Sequence, residues 1–363
     1  MNDQGNDLNY LEISRELLQY NAGIVKQYVQ CPVIGVLKCD GYGVTISEAA
    51  QAWKSCGVTM FAVSEPHEAF ALRTAGFCED ILLLSPVADA STLNALLDEK
   101  VILTVTGMET ARFYSENARG QTIRTHVAVD TGMGRFGVRW SDLEQLKAIY
   151  SSFYFRFEGI FSHFSASFEK RYRITQKQLT RFLSVTEALS QAGYAIGMRH
   201  IANSCAALRF PETRLDAVRI GSALIGELCA KVPVDLQPVG VFQAQVVDRK
   251  RLLRGDATGY ASVCRMKRDT DAIVVALGHE NGFGYLKSPD NFRLQDLARY
   301  FYRILRGRFH RPCVMYGEQR LSLIGRIGSQ YSLFDATGTG VQPGEYVASK
   351  AHMLYPNQRR RMI

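Results

Sequence analysis

No apolar run in this chain of 363 residues approaches the roughly 20 residues needed to cross a bilayer. Its start, MNDQGNDLNYLEISREL, is polar and acidic and lacks the basic patch and apolar stretch of a secretory leader. A cytoplasmic protein with no membrane partner is therefore expected. The eight cysteines are scattered, with no C-x-x-C pair and no histidine at metal-ligand spacing. A metal site is accordingly not expected, and the cysteines read as free, buried thiols. Low-complexity stretches are also missing, and hydrophobic residues at 47% with charged residues at 21% are ordinary for a globular protein. The formal charge of +8 could draw in nucleic acid. Much of it lies in Arg299, Arg303, Arg306, Arg308 and Arg311 and in the tail Arg359 to Arg361, and no recognition motif accompanies it, so no nucleic-acid partner is expected.

What is present is a period. Short β-branched runs recur between helical patterns: VIGVL at 33–37, MFAVSE at 60–65, ILLLS at 81–85, VILTVT at 101–106, THVAV at 125–129, FEGIFS at 157–162, HIANS at 200–204 and DAVRI at 216–220. The segments between them, such as SEAAQAWKSCG and PHEAFALRTAG, space apolar residues by three and four, as helices packed on a sheet do, and often end in Gly. Eight βα units predict an α/β protein, a (β/α)8 TIM barrel over residues 1–230. Beyond, the texture changes to short alternating strands such as VGVFQAQVVDRKRLL and RLSLIGRIGSQYSLFD, which predicts a C-terminal all-β domain over 231–363.

Barrels of this kind carry chemistry at the C-terminal ends of their strands, so those residues matter most. The first strand runs into Lys38 and the turn Cys39-Asp40-Gly41-Tyr42-Gly43. A lysine there reads either as a rim residue reaching for water or as a partly desolvated amine able to bond an aldehyde carbon. The fifth strand leads into VDTGMGRFG, where Arg135 suits a carboxylate or phosphate or pairs with Asp130. His163 follows the sixth strand, and His200 with Asn203 and Ser204 the seventh. Arg219 lies on the eighth, followed by Gly221 and Ser222. Loops after the last two strands form the common phosphate site of such barrels, and Ser204, Gly221 and Ser222 could line it, although Gly221 also reads as a simple tight turn. A strand-end Lys, a phosphate cradle and inward Arg and His fit a phosphate-bearing aldehyde, pyridoxal 5′-phosphate (PLP), better than a metal or a nucleotide.

The segments IGVLKCDGYG, VDTGMGRFG, GIFSHF, HIANSCAALRFP and AVRIGSALIGE occur in the order of the signature segments of the alanine racemases, which this chain resembles from about Tyr10 to the tail. The resemblance implies Lys38 as the Schiff-base lysine and Tyr42, Ser204, Gly221 and Ser222 as phosphate ligands. It implies Arg219 as partner of the pyridine nitrogen, with His163, His200 and Asn203 around it. It further implies Tyr260, in TGYAS, as a second base donated by the other subunit of a homodimer, and Arg135 and Ser329 at the substrate carboxylate. A fixed cation opposite the ring nitrogen weakens the cofactor as an electron sink, which suits brief removal and return of an α-proton better than decarboxylation.

The chain departs from the family pattern around the substrate. Ala128 stands where the family carries a carbamylated lysine, Ser329 and Gln330 replace a Met-Asp pair, His279 replaces an entrance Tyr, and Met353 replaces a phosphate-binding Tyr. These changes predict either a pocket open to larger or more polar side chains than methyl, or a PLP-binding protein without turnover. The expectation is a homodimeric amino-acid racemase that uses Lys38 and Tyr260 as its two bases, with alanine as the default substrate. Another PLP enzyme of the same fold type is the alternative.

Overall fold

The structure is a computed structural model that describes residues 8–259, 262, 264–285, 297, 301–302, 312–351, 353 and 359–363. Its contacts divide the chain into two compact units, Arg15–Val239 and Met1–Ser14 together with Gly240–Ile363. The sequence reading left residues 1–14 with the barrel. In the structure β1 (Asn9–Ile13) pairs antiparallel with β11 (Gly240–Leu252), Leu11 opposite Phe242, and so belongs with the C-terminal strands. Its five residues carry no signal of a partner more than two hundred positions away.

The α/β unit alternates strands and helices. Its strands are β2 (Val33–Val36), β3 (Met60–Val63), β4 (Asp80–Leu83), β5 (Leu103–Val105), β6 (Arg124–Asp130), β7 (Val138–Arg139), β8 (Arg156–Phe161), β9 (Met198–His200) and β10 (Val218–Ile220). They pair in parallel in the orders β10-β2-β3-β4 and β5-β6-β8-β9, with the short β7 beside β6. Two parallel bridges, Leu82 to Ile102 and His200 to Ala217, join the outer strands of these two sets. Most of the strands are shorter than the sequence runs, β6 and β8 excepted. HIANS ends its strand at His200, and Ser204 opens the helix Ser204–Arg209 instead.

Local chemistry sets the helix boundaries. Thr45, Asp89, Asp142 and Asn203 each accept a backbone N–H three residues ahead, the N-cap role of short oxygen-bearing side chains. Gly57 and Gly76, with φ of 73° and 84°, follow helices Ile46–Ser55 and Pro66–Thr74 and supply the left-handed exit. Alternate strand residues Ile34, Val36, Ala62, Leu82, Ile102 and Ala217 form one buried apolar cluster. Burying each larger member contributes about 1.5–3 kcal/mol. This packed interior holds the strand ends, and hence the loops beyond them, in fixed positions.

The all-β expectation holds for most but not all of the second unit: its described residues are mainly strand, with a 3-10 turn at His279–Asn281 and helical residues at 297 and 301–302. Its remaining strands are β12 (Ala257–Thr258), β13 (Cys264–Arg265), β14 (Thr270–Val275), β15 (Cys313–Tyr316), β16 (Gln319–Ile324), β17 (Ser332–Asp335), β18 (Tyr346–Lys350) and β19 (Arg360–Met362). The main sheet runs β14-β17-β16-β15-β18-β11-β1-β19, and β11 also pairs with β14, so the six strands from β14 to β11 close on themselves. At 13 residues β11 is long enough to serve both partners, with a register shift between Val246 and Asp248 where it changes over.

All eight cysteines are free, as the sequence suggests, but none is fully buried: Cys39, Cys78 and Cys229 are exposed and the other five are partly covered. No described helix is long and apolar enough to cross a membrane.

Candidate active site

Beyond β2 the chain winds the wrong way round. Cys39, Asp40, Gly41 and Tyr42 all take left-handed backbone angles, with φ of 55°, 51°, 66° and 58°. That conformation costs a residue bearing a Cβ about 1–2 kcal/mol, and three of the four bear one. Hydrogen bonds hold the turn. Gly41 N–H donates to Leu37 O at 2.9 Å, Ile46 N–H to Asp40 Oδ1 at 2.8 Å, and Cys39 N–H to Glu68 Oε1 at 2.6 Å. The turn places the Lys38 ammonium 5.8 Å from the Tyr42 ring centroid. Strain of this kind survives where the surroundings over-determine the backbone.

The Tyr42 hydroxyl lies in the space that a Cβ on Gly221 would fill, so only glycine at 221 admits it. Burial first, then the Cys39 thiol and the Glu68 carboxylate, push the Tyr42 phenol well above its ordinary value and keep it a hydrogen-bond donor. Gly221 N–H donates to Ser204 Oγ at 3.0 Å, which leaves the serine proton available to another acceptor. Ser222 follows, half-buried, and its hydroxyl makes no hydrogen bond among the described residues. Asn203 caps the helix that Ser204 opens. Its Oδ1 accepts from Ala206 N–H at 3.1 Å and from the Ser167 hydroxyl at 2.8 Å.

Arg219 is 3% exposed and has no carboxylate beside it among the described residues. Its Nη1 donates to His200 Nδ1 at 2.6 Å and to His200 O at 3.0 Å. Its Nη2 donates to Ser162 O at 2.5 Å and His163 Nδ1 at 3.2 Å. A guanidinium only donates, so His200 accepts at Nδ1 and carries its proton on Nε2. That N–H then donates to His126 Nδ1, 2.8 Å away. Burial, followed by the charge of Arg219, pushes His126 and His163 down to about 3 and His200 well below its ordinary value, so all three imidazoles are neutral near pH 7. Burial and then the Arg135 charge push Arg219 down to about 9, still high enough to keep it cationic at neutral pH. The Nη groups are spent, while the Nε–H has no partner among the described residues.

His126 escaped the sequence reading. It sits two residues before Ala128 and four before Asp130 on β6, so strand alternation alone puts the three on one face. Its room comes from Gly159, its register partner on β8, where a Cβ would lie 2.6 Å from the imidazole.

The loop after β6 is built around Asp130. Its Oδ1 accepts the N–H groups of Gly132, Met133 and Gly134 at 2.8, 2.9 and 3.1 Å, so the backbone engages this carboxylate rather than Arg135. Arg135 is exposed, with its guanidinium carbon 5.8 Å from the Phe136 ring and no ion pair among the described residues. Its charge is nonetheless felt at both His163 and Arg219. Ala128 is buried and offers no polar group.

In the β unit, His279 N–H donates to Gly328 O and Glu280 N–H to Ser329 O, each at 3.0 Å, which ties together the two segments expected near the substrate. His279, Ser329 and Gln330 are all exposed there. Met353 is buried, at 3% exposure, in the space beside Gly240. Tyr260, the expected second base, lies outside the described residues.

An α/β unit that gathers a lysine, a hydroxyl-lined cradle and a buried arginine at its parallel strand ends, followed by a closed β unit, is a defined architecture, and comparison with known proteins places it. The family model "Alanine racemase, N-terminal domain" matches residues 13–228. The alanine racemase of Desulforamulus reducens is 32% identical over 289 residues, covering 77% of this chain and 78% of that protein. Among solved structures, the alanine racemase of Clostridium difficile 630 superposes with a TM-score of 0.80 at 24% identity, over 94% of this chain and 86% of that one. The histidine racemase of Leuconostoc mesenteroides subsp. sake gives 0.80 at 20% identity over 98% of each chain. At these identities the two structures share the fold. The chain belongs to the alanine racemase family.

Proposed function

We propose that this chain is a PLP-dependent amino-acid racemase, an isomerase that works as a homodimer, with alanine as the first substrate to test. In this reading the parallel strands and their two bridges close as a (β/α)8 barrel, with its chemistry at the C-terminal strand ends. The observation that carries the reading is Arg219, a buried cation whose acceptors among the described residues are all neutral and whose Nε–H is unspent there. A pyridine nitrogen offers the lone pair that this N–H lacks. The cradle suits the other end of the cofactor: Tyr42, Ser204 and Ser222 offer hydroxyl donors for a phosphate, beside a glycine that leaves room for the Tyr42 phenol.

PLP, when bound, supplies the electron sink that makes a substrate α-proton removable. The protein supplies the rest. Lys38 would hold the cofactor through Nζ and, once the substrate amine displaces that nitrogen, would take and return the α-proton on one face, while the phenol oxygen of Tyr260 of the partner subunit would hold a proton on the other. Arg219 remains charged and keeps a proton off the pyridine nitrogen, which favours short-lived proton removal over decarboxylation. His200 and His163, neutral and fixed as acceptors, hold the guanidinium in place. Arg135 and Ser329 orient the substrate carboxylate.

The test is turnover in D2O over a panel of L-amino acids. The reading expects D-enantiomer carrying α-deuterium from at least one of them, and the exposed, uncharged Ser329 and Gln330 predict that side chains larger than methyl are accepted. Ala128, and an Arg135 with no ion pair among the described residues, favour a second reading, a PLP-binding protein without turnover. Cofactor uptake with no exchange on any amino acid would establish that one.

A further inference from the structure

The left-handed turn at Lys38 is not held by its own residues alone. Glu68, in the first turn of helix Pro66–Thr74, is 5% exposed. Its Oε2 accepts Ser64 N–H at 2.8 Å and Glu65 N–H at 3.1 Å, as expected of a glutamate closing a helix start. Its Oε1 does something that capping does not require. It leaves the helix and accepts Cys39 N–H at 2.6 Å, at the first left-handed residue after Lys38. No ion pair engages Glu68 among the described residues, so its carboxylate is spent on the backbones that follow two neighbouring strands, β2 and β3.

We infer that Glu68 is a positioning residue that locks the Lys38–Tyr42 turn in its left-handed form and so sets the lysine amine and the Tyr42 phenol at their stations for the cofactor. The lock rests on the PLP reading for its purpose, although it belongs to the protein without cofactor. The two oxygens explain why the residue is an acid. Three N–H donors converge on them, and a glutamine could offer an acceptor at only one end, its NH2 group facing donors at the other. The Ser64 and Glu65 pair outnumbers the lone Cys39 N–H. Glu68→Gln should therefore keep the helix cap and release the turn.

The experiment compares Glu68→Gln with Asp89→Ala, which removes the cap of helix Ala90–Asp98, a carboxylate that accepts only from Ser91 and Thr92 of its own helix start. Amide hydrogen exchange at Cys39 in the cofactor-free protein and PLP affinity in the full chain are read for both. The lock predicts that Glu68→Gln speeds Cys39 exchange and weakens PLP affinity by about tenfold each, while Asp89→Ala leaves both within about twofold. If Glu68→Gln fails to fold, Glu68→Asp, which keeps the charge but shortens the reach, is expected to give the same split. Wild-type protection at Cys39 in the Glu68 variant, or equal losses in both variants, would overturn the inference. Failure of the wild-type protein to bind PLP would remove the functional reading instead and leave the exchange measurement to decide the lock.

Discussion

The two units of this protein bury different kinds of side chain. In the α/β unit Glu68, His126, His200 and Arg219 are all buried, together with a set of polar amides and hydroxyls, whereas the described residues of the β unit bury only Thr270, Ser332 and Ser349 among polar groups. An ionisable group taken out of water costs free energy unless it is hydrogen-bonded. The α/β unit meets that cost with matched donors and acceptors at its strand ends, and the β unit avoids it. The contrast matches the proposed division of labour, in which the first unit holds the cofactor and the second offers exposed side chains such as Ser329 to the substrate.

The largest expected effect is at the centre of the buried network. Arg219→Gln removes the donor shared by His200 and His163, and racemisation should fall by about a hundredfold in kcat, as when one fixed donor is lost from other active sites. A steady-state assay at saturating PLP checks it, and a loss confined to KM would place Arg219 outside the reaction.

Acid sensitivity should follow from the same network. His126, His163 and His200 are neutral in the fold, with values depressed from 6.5, so the unfolded chain binds more protons between 6.5 and about 3. Their contribution to stability is complete above 6.5 and is lost as pH falls through that window. Urea unfolding near neutral pH and at about pH 5 should show the decline. Arg219→Gln, which removes a charge that lowers all three values, should make it shallower.

A smaller change is expected at the cradle. Gly221→Ala sets a methyl group against the Tyr42 hydroxyl and should cost about 1–3 kcal/mol of stability, with weaker PLP binding. The β unit supplies the lower limit. Asp335→Asn breaks an exposed pair with Arg268, 2.9 Å apart, and should change stability by less than about 1 kcal/mol without altering cofactor absorbance.

The sequence shows the repeating βα order plainly, because strands that pair in parallel and are buried on both faces must be apolar and β-branched. Lys38, Arg219 and Gly221 are legible for a related reason: a charged residue or a glycine stands out at the end of an apolar run. The strand β1 is not legible, since five alternating residues do not say what they pair with. Glu68 reads as an ordinary helix-start glutamate, and only the fold shows that it reaches Cys39. His126 was within reach of strand alternation, but nothing in the sequence announces that Gly159 clears a space for it.

The most direct test of the account is to load the purified protein with PLP, reduce it with borohydride to fix the lysine–cofactor bond, and map the modified peptide by mass spectrometry. The account predicts the cofactor on Lys38, absent from Lys38→Ala, which should also lose racemisation by at least about a hundredfold. Cofactor fixed to a different lysine, or to none, would contradict it.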